Sequence, residues 1–210
     1  MKRLLVTVVV LAALLAVADR IAVRVAQSQV AAQIKASQRL STDPTVTIHG
    51  FPFLTQALGG EYDDISVVGS DLVKGSIRVS RVDADLRGVK IPLGAALGGS
   101  LHAVPAASAR ISAAVGWDAL ENASGEPVKL SAARGGGVQV DTVVSGRTLT
   151  FVADPVVERG QVVLVPRDVA GRIIDFGTTT LPFNLKLTSA KVQRTGLVLV
   201  ATGAGVILRG

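Results

Sequence analysis

The chain contains no cysteine in its 210 residues. Disulfide bonds, thiolate metal sites and a cysteine nucleophile are therefore all excluded. Aromatic residues are scarce at 3%, although 49% of the residues are hydrophobic. A core must then be built mainly from valine, leucine, isoleucine and alanine, and so high an apolar content rules out a disordered chain.

Clusters of basic residues are missing as well. The formal net charge is +6, but the lysines and arginines are spread along the chain rather than gathered in runs. Nucleic-acid-binding proteins usually combine basic clusters with aromatic stacking residues, so we expect no nucleic-acid partner. A mild positive excess fits a weak attraction to an anionic membrane surface better.

Motifs for catalysis or metal binding are equally scarce. The chain has two histidines, His49 and His102, and no G-x-S-x-G nucleophile elbow, although Ser100 lies two residues before His102. Asp83 and Asp85 fall on the polar face of a predicted strand, where solvated charge explains them without a bound metal. We therefore predict that the protein is not an enzyme and that it has no cofactor and no metal site.

The N-terminus has the pattern of an export segment. Two basic residues precede an uncharged run of 15 residues, Leu4 to Ala18, which ends in the small-x-small sequence Ala16-Val17-Ala18. The run is shorter than the ~20 residues that span a bilayer comfortably, so it is either a cleaved signal peptide or a retained anchor. Both alternatives place residues 19–210 outside the cytoplasm, at the outer face of the cytoplasmic membrane or in a periplasm-like space, anchored or released.

The rest of the chain changes from a helical to a strand pattern. From Asp19 to about Leu40 there is no glycine or proline, and apolar or small residues recur at helical intervals at Val23, Ala26, Val30, Ile34 and Ser37. After Pro44 the apolar residues alternate instead, which predicts many short, mainly antiparallel strands. The fold class is therefore α+β, with one domain over residues 19–210.

Several strands and one short helix can be delimited further. The predicted strands include 109–115, 138–144, 149–153, 161–165, 185–192 and 197–201. The sequence WDALENASG, which starts at Trp117, predicts a short helix with Asp118 as its N-cap.

Two phenylalanine–proline stretches stand out in a chain with five phenylalanines. Phe51 and Phe53 flank Pro52 in a segment whose glycines and proline favour turns, and Phe183 follows Pro182 in LPFNLKL. These residues either plug the open end of a sheet as core or line an apolar opening. For the second alternative we predict lipid contacts at Phe51, Phe53, Leu54 and Phe183.

The size of a phospholipid sets what such an opening must provide. Each buried CH₂ of an acyl chain contributes about 0.8 kcal/mol, so two chains of ~16 carbons represent on the order of 25 kcal/mol. At ~25 cal/mol per Å², a carrier needs roughly 1,000 Å² of apolar lining to compete with the bilayer. An aliphatic face on a curved sheet could offer that area.

Two long segments resemble a known family. VTIHGFPFLTQALGGEYDDISV, which starts at Val46, and LPFNLKLTSAKVQRTGLVLVATGAGVIL, which starts at Leu181, resemble the actinobacterial LmeA-like phospholipid-binding family of exported cell-envelope proteins. VDADLRGVKIPL and GWDAL, which lie between them, are similar to that family in weaker form. The resemblance covers nearly the whole chain after the signal segment.

The resemblance implies both a fold and a function. The fold would be a curved, mainly antiparallel sheet wrapping a helix, as in tubular lipid-binding proteins. The function would be non-catalytic phospholipid binding or transfer in the cell envelope, in support of envelope lipid or glycolipid assembly. The alternative is a membrane-associated scaffold that docks an envelope glycosyltransferase without carrying lipid.

Overall fold

The structure is a computed structural model, and it describes residues 2–38, 40–74, 77–92, 94, 103–144, 146–168, 174–175 and 185–208. Its elements follow the chain in this order: α1 (Lys2–Gln38), β1 (Thr45–His49), α2 (Phe53–Gly59), β2 (Glu61–Lys74), β3 (Ile77–Lys90), β4 (Val104–Gly116), α3 (Trp117–Ser124), β5 (Val128–Ala132), β6 (Val138–Val144), β7 (Arg147–Glu158), β8 (Gln161–Pro166), β9 (Ile174–Asp175), β10 (Lys186–Gln193) and β11 (Gly196–Leu208). The predicted α+β class, with an N-terminal apolar helix and a mainly antiparallel sheet, is confirmed.

The strands form two open sheets. One has six strands in the order β1-β2-β3-β4-β11-β10, and the other has five in the order β5-β6-β7-β8-β9. In the five-stranded sheet each strand pairs antiparallel with the next one along the chain, which is the arrangement that short turns produce.

Contacts within the chain group the residues into two compact units. Unit 1 comprises Met1–Val67, Asp85–Ser108 and Gly205–Gly210, and unit 2 comprises Val68–Ala84 and Ala109–Ala204. Neither unit is one continuous stretch of chain.

In unit 1, α1 packs through one face. Val23 is buried, and Ala26, Val30 and Ile34 are half-buried, as the helical spacing predicts. Ser37 is exposed, so the packed face ends before the last turn of the helix. The partners of α1 in this unit are β1 and α2. The uncharged run at its start is exposed, and α1 is long and apolar enough to cross a membrane by length and composition, a test that anchors and signal sequences both pass.

In unit 2, the core is aliphatic, as the shortage of aromatic residues requires. Val138 and Val140 on β6 and Leu164 on β8 are fully buried. They pack with Leu120 of α3 and with Leu197 of β11. The alternation of β6 continues to Thr142, which is also buried, because successive side chains of a strand point to opposite faces.

The short helix α3 is confirmed, but the predicted cap is wrong. The N-cap is Gly116, without a side-chain hydrogen bond, and Asp118 lies inside the first turn. The helix begins early because Trp117 is held in place: its amide donates to the Thr195 carbonyl at 3.3 Å and its indole N–H donates to the Arg194 carbonyl at 3.0 Å.

Candidate lipid-contact site

The segment from Gly50 to Gly60 is not a loop, because most of it forms the short helix α2. Gly50 has a φ of 99°, a left-handed conformation in which glycine is unstrained, so the chain can leave β1 sharply. The Gln56 side chain then links two strands: Nε2 donates to the His49 carbonyl at 3.2 Å, and Oε1 accepts the Asp63 amide at 3.0 Å. The end of β1 and the start of β2 are thereby fixed to the segment.

The helix in this segment, α2, was not expected from its glycines and proline. It ends at Gly60, which is left-handed with a φ of 67° and whose amide donates to the Ala57 carbonyl at 3.3 Å. The Gly60 carbonyl accepts the Ile91 amide at 2.9 Å. The expectation of turns is therefore wrong here, because the same glycine that suggests a turn closes a helix.

Apolar residues lie on both faces of α2. Phe53 and Ala57, four residues apart, are buried, whereas Leu54 and Leu58, also four residues apart, are 36% and 76% exposed. Residues spaced by four lie on the same side of a helix. One stripe therefore belongs to the core of unit 1, and the second stripe faces outward.

The N-terminus of α2 is capped by a residue of α1. Pro52 occupies the N-cap position and has no side-chain acceptor, but the Asp19 carboxylate supplies one. Asp19 Oδ1 accepts the Leu54 amide at 2.8 Å, and Oδ2 accepts from Arg20 Nη2 at 2.6 Å. Asp19 is only 2% exposed, so a buried charge is satisfied by an amide and a guanidinium together.

The Asp19 carboxylate is stabilised in its ionised form. Burial opposes ionisation, but the Leu54 amide, the Arg20 side chain and the Phe53 amide all donate hydrogen bonds to the carboxylate, and such bonds favour its charged form. Asp19 follows the uncharged run directly, so this cap stands at the position where α1 becomes polar.

The two phenylalanines that flank Pro52 have opposite environments. Phe51 is 64% exposed, and the Arg20 guanidinium lies over its ring at 4.9 Å from the centroid, within the range of a cation–π contact. Phe53 is 6% exposed and packs against Tyr62 with the ring centroids 6.2 Å apart. Burial raises the pKa of the Tyr62 phenol above its ordinary value of 10.0.

The predicted site residues are thus brought together only in part. Phe51 and Leu54 are exposed and three residues apart in the sequence, Phe53 is buried in the core, and Phe183 lies outside the described residues. The prediction did not include Leu58, the most exposed of the group. Its spacing of four residues from Leu54 was the available signal, but only a helix gives that spacing a meaning.

A serine, a histidine and an aspartate in unit 1 are linked by hydrogen bonds. They are the residue types of a catalytic triad, but they are not connected in the order that a triad requires. The Ser66 hydroxyl donates to Asp85 Oδ1 at 3.0 Å and lies 3.1 Å from His49 Nε2. Its single proton is directed at the carboxylate, so the histidine can only donate to the serine oxygen. In a triad the histidine stands between the other two groups and removes the serine proton. This arrangement links three strands and does not activate a nucleophile.

Metal ligands do not converge either. Within the part of the chain that the structure describes, no group of three histidine, aspartate or glutamate side chains could hold an ion. His102 and Ser100 fall outside the described residues.

A comparison with protein families gives a match over most of the chain. The model of a family described as LmeA-like phospholipid-binding matches residues 17–202 of the chain. No curated protein and no solved structure matches significantly. The matched span starts at the end of the uncharged run and includes α2 and all the strands through most of β11.

Proposed function

Because the chain belongs to the LmeA-like phospholipid-binding family, we propose that it is a non-catalytic protein that takes up phospholipid acyl chains at the outward face of α2. The family match carries the proposal. The exposed side chains of Phe51, Leu54 and Leu58 support the location, since they are apolar and close in sequence. Leu54 and Leu58 lie on a helix that is fixed at both ends, and Phe51 lies two residues before it.

The area of this face limits its part in binding. One aromatic and two leucine side chains present on the order of 300 Å² of apolar surface, which is worth about 8 kcal/mol when covered. Two acyl chains represent on the order of 25 kcal/mol. The α2 face therefore contacts part of one lipid, and other apolar residues supply the rest of the lining. We keep Phe183 as a proposed member of that lining. Phe53 supports the face from the core.

The compartment belongs to the same proposal. An uncharged run at the start of α1, followed by a folded and mainly antiparallel body, fits a protein that is exported and then anchored or released in the cell envelope. In that place a phospholipid-binding protein would transfer lipid or support the assembly of envelope lipids and glycolipids.

A second candidate function has its own observation. Val143 on β6 and Leu149 on β7 are 55% and 48% exposed, and they lie near the same end of one hairpin in unit 2, on opposite faces of it, since Leu149 pairs with Thr142. An exposed apolar hairpin end can dock another protein. The protein would then be a scaffold for an envelope glycosyltransferase and would hold no lipid.

Native mass spectrometry of the full chain, purified in mild detergent, tests the two candidates against each other. We expect phospholipid to co-purify at a defined stoichiometry, to be reduced by the Phe51→Ser/Leu54→Ser variant, and to be unchanged in the matched Val143→Ser/Leu149→Ser variant. If no phospholipid is retained even after incubation with liposomes, the lipid-binding proposal is refuted and the scaffold becomes the better account.

A further inference from the structure

The end of the uncharged run and the start of α2 are joined by a direct hydrogen bond. The run stops at Ala18, and the next residue, Asp19, accepts the Leu54 amide at 2.8 Å. If a membrane holds the run, the turn of α1 that ends at Ala18 lies near the level where hydrocarbon gives way to headgroups. The Asp19 contact then fixes α2 at that same level.

The outward face of α2 has the composition of an interfacial surface. Outside α1, Leu58 and Phe51 are the two most exposed large hydrophobic residues in the described part of the chain, at 76% and 64%. Amphipathic helices that lie in a membrane interface carry leucine and phenylalanine on the buried side and basic residues beside them. Arg20, over the Phe51 ring, is such a residue, with a side chain that is 48% exposed.

The helix that carries two of these residues is also attached to the strands around it. Gln56 hydrogen-bonds to the end of β1 and to the start of β2, and Gly60 hydrogen-bonds to Ile91, while Leu54 and Leu58 are exposed. Exposed apolar patches that are bordered by polar residues mark sites of interaction with a membrane or a protein.

We propose that Phe51, Leu54 and Leu58 form a membrane-docking surface that inserts into the headgroup–acyl boundary of the bilayer in which α1 is embedded. Arg20 meets the lipid phosphates beside it. The occupant is the bilayer itself, because the surface is continuous with the end of the membrane-embedded run. The inference goes beyond phospholipid binding, since docking does not require that a lipid leave the bilayer.

Tryptophan fluorescence with depth-dependent quenchers tests the docking surface. The full chain is reconstituted in phosphatidylcholine–phosphatidylglycerol vesicles with and without acyl chains brominated near the headgroup. Trp117 is the only native tryptophan, so Trp117→Phe provides the background. Leu58→Trp is the reporter, and Phe51→Trp is a second reporter in case the first variant does not fold. Ser37→Trp is the matched control, because it is exposed on α1 roughly 27 Å beyond Asp19 at about 1.5 Å of rise per residue.

The proposal predicts that brominated lipid removes most of the Leu58→Trp emission, that this emission is shifted to the blue, and that Ser37→Trp emission is unchanged. Two results would overturn it. If the reporter emits at the wavelength of a water-exposed tryptophan and is not quenched, the face stays in solvent. If its emission is shifted to the blue but is not quenched, protein, such as a second copy of the chain, covers the face. Equal quenching at Ser37 would also count against it, because it would show that the whole helix lies on the membrane.

Discussion

Replacing either phenylalanine beside Pro52 by alanine gives the sharpest contrast that the structure predicts. Phe53 is 6% exposed, so nearly all of its ring, roughly 200 Å², is out of water. At ~25 cal/mol per Å² this burial is worth about 5 kcal/mol, an upper value because the unfolded chain is partly compact. Phe53→Ala should therefore lower the free energy of opening unit 1 by about 3 kcal/mol.

Phe51→Ala is the matched control. Phe51 is 64% exposed and loses only the contact with Arg20, which at an exposed site is worth less than about 1 kcal/mol. Since 1.4 kcal/mol corresponds to a tenfold change, Phe53→Ala should accelerate amide exchange roughly 100-fold and Phe51→Ala at most about fivefold.

Hydrogen exchange followed by mass spectrometry on the full chain in nanodiscs measures this contrast, read on peptides that cover β1, α2 and the start of β2. Local protection reports the free energy of opening of that region. Equal effects of the two variants, or a larger effect of Phe51→Ala, would refute the assignment of Phe53 to the core and of Phe51 to the surface.

Three further predictions concern a phenol, a glycine and a carboxylate. Tyr62 is the single tyrosine, so absorbance at the phenolate band should show a titration midpoint above 10.0. Because folding raises the pKa of Tyr62, the contribution of this phenol to stability is complete below the unfolded pKa and is lost as the pH rises through the folded value. A midpoint at or below 10.0 would show that the ring is solvated. Gly196→Ala should destabilise unit 2 by about 3 kcal/mol, because a Cβ at Gly196 would overlap the Val115 carbonyl. Urea titrations followed by Trp117 fluorescence measure this loss. Gly69→Ala is the control and should change the stability little, because its Cβ would meet only the end of a leucine side chain. Asp19→Asn should speed exchange in α2 at neutral pH, because the Leu54 amide would lose its charged hydrogen-bond acceptor. Unchanged exchange in that variant would contradict the capping role.

Regular alternation made part of the fold predictable. The strand predicted at 138–144 has those bounds in β6, because Val138, Val140 and Thr142 point inward at every second residue. The strand β5 was not predicted, since it contributes only two buried residues, Val128 and Leu130. The strand is also fixed by the Glu121 carboxylate, whose Oε1 accepts the Leu130 amide at 2.8 Å.

The site was less predictable because its contacts are distant in sequence. The helix α2 has seven residues, too few to be stable by propensity alone, and its cap comes from Asp19, which is 35 residues before Leu54. In the sequence Asp19 interrupts an apolar run and carries no sign of that contact. For the same reason, residue type could not distinguish Phe53 as core from Phe51 as surface.

Photo-crosslinking tests the central claim, contact between α2 and phospholipid acyl chains, most directly. The full chain in detergent micelles is mixed with a phospholipid that carries a photoactivatable group on one acyl chain, and the labelled peptides are identified by mass spectrometry. We predict labelling of the peptide that contains Phe51, Leu54 and Leu58, in competition with unlabelled phospholipid. Labelling confined to the uncharged run of α1 would contradict the account, because insertion in a micelle would produce it without any lipid site.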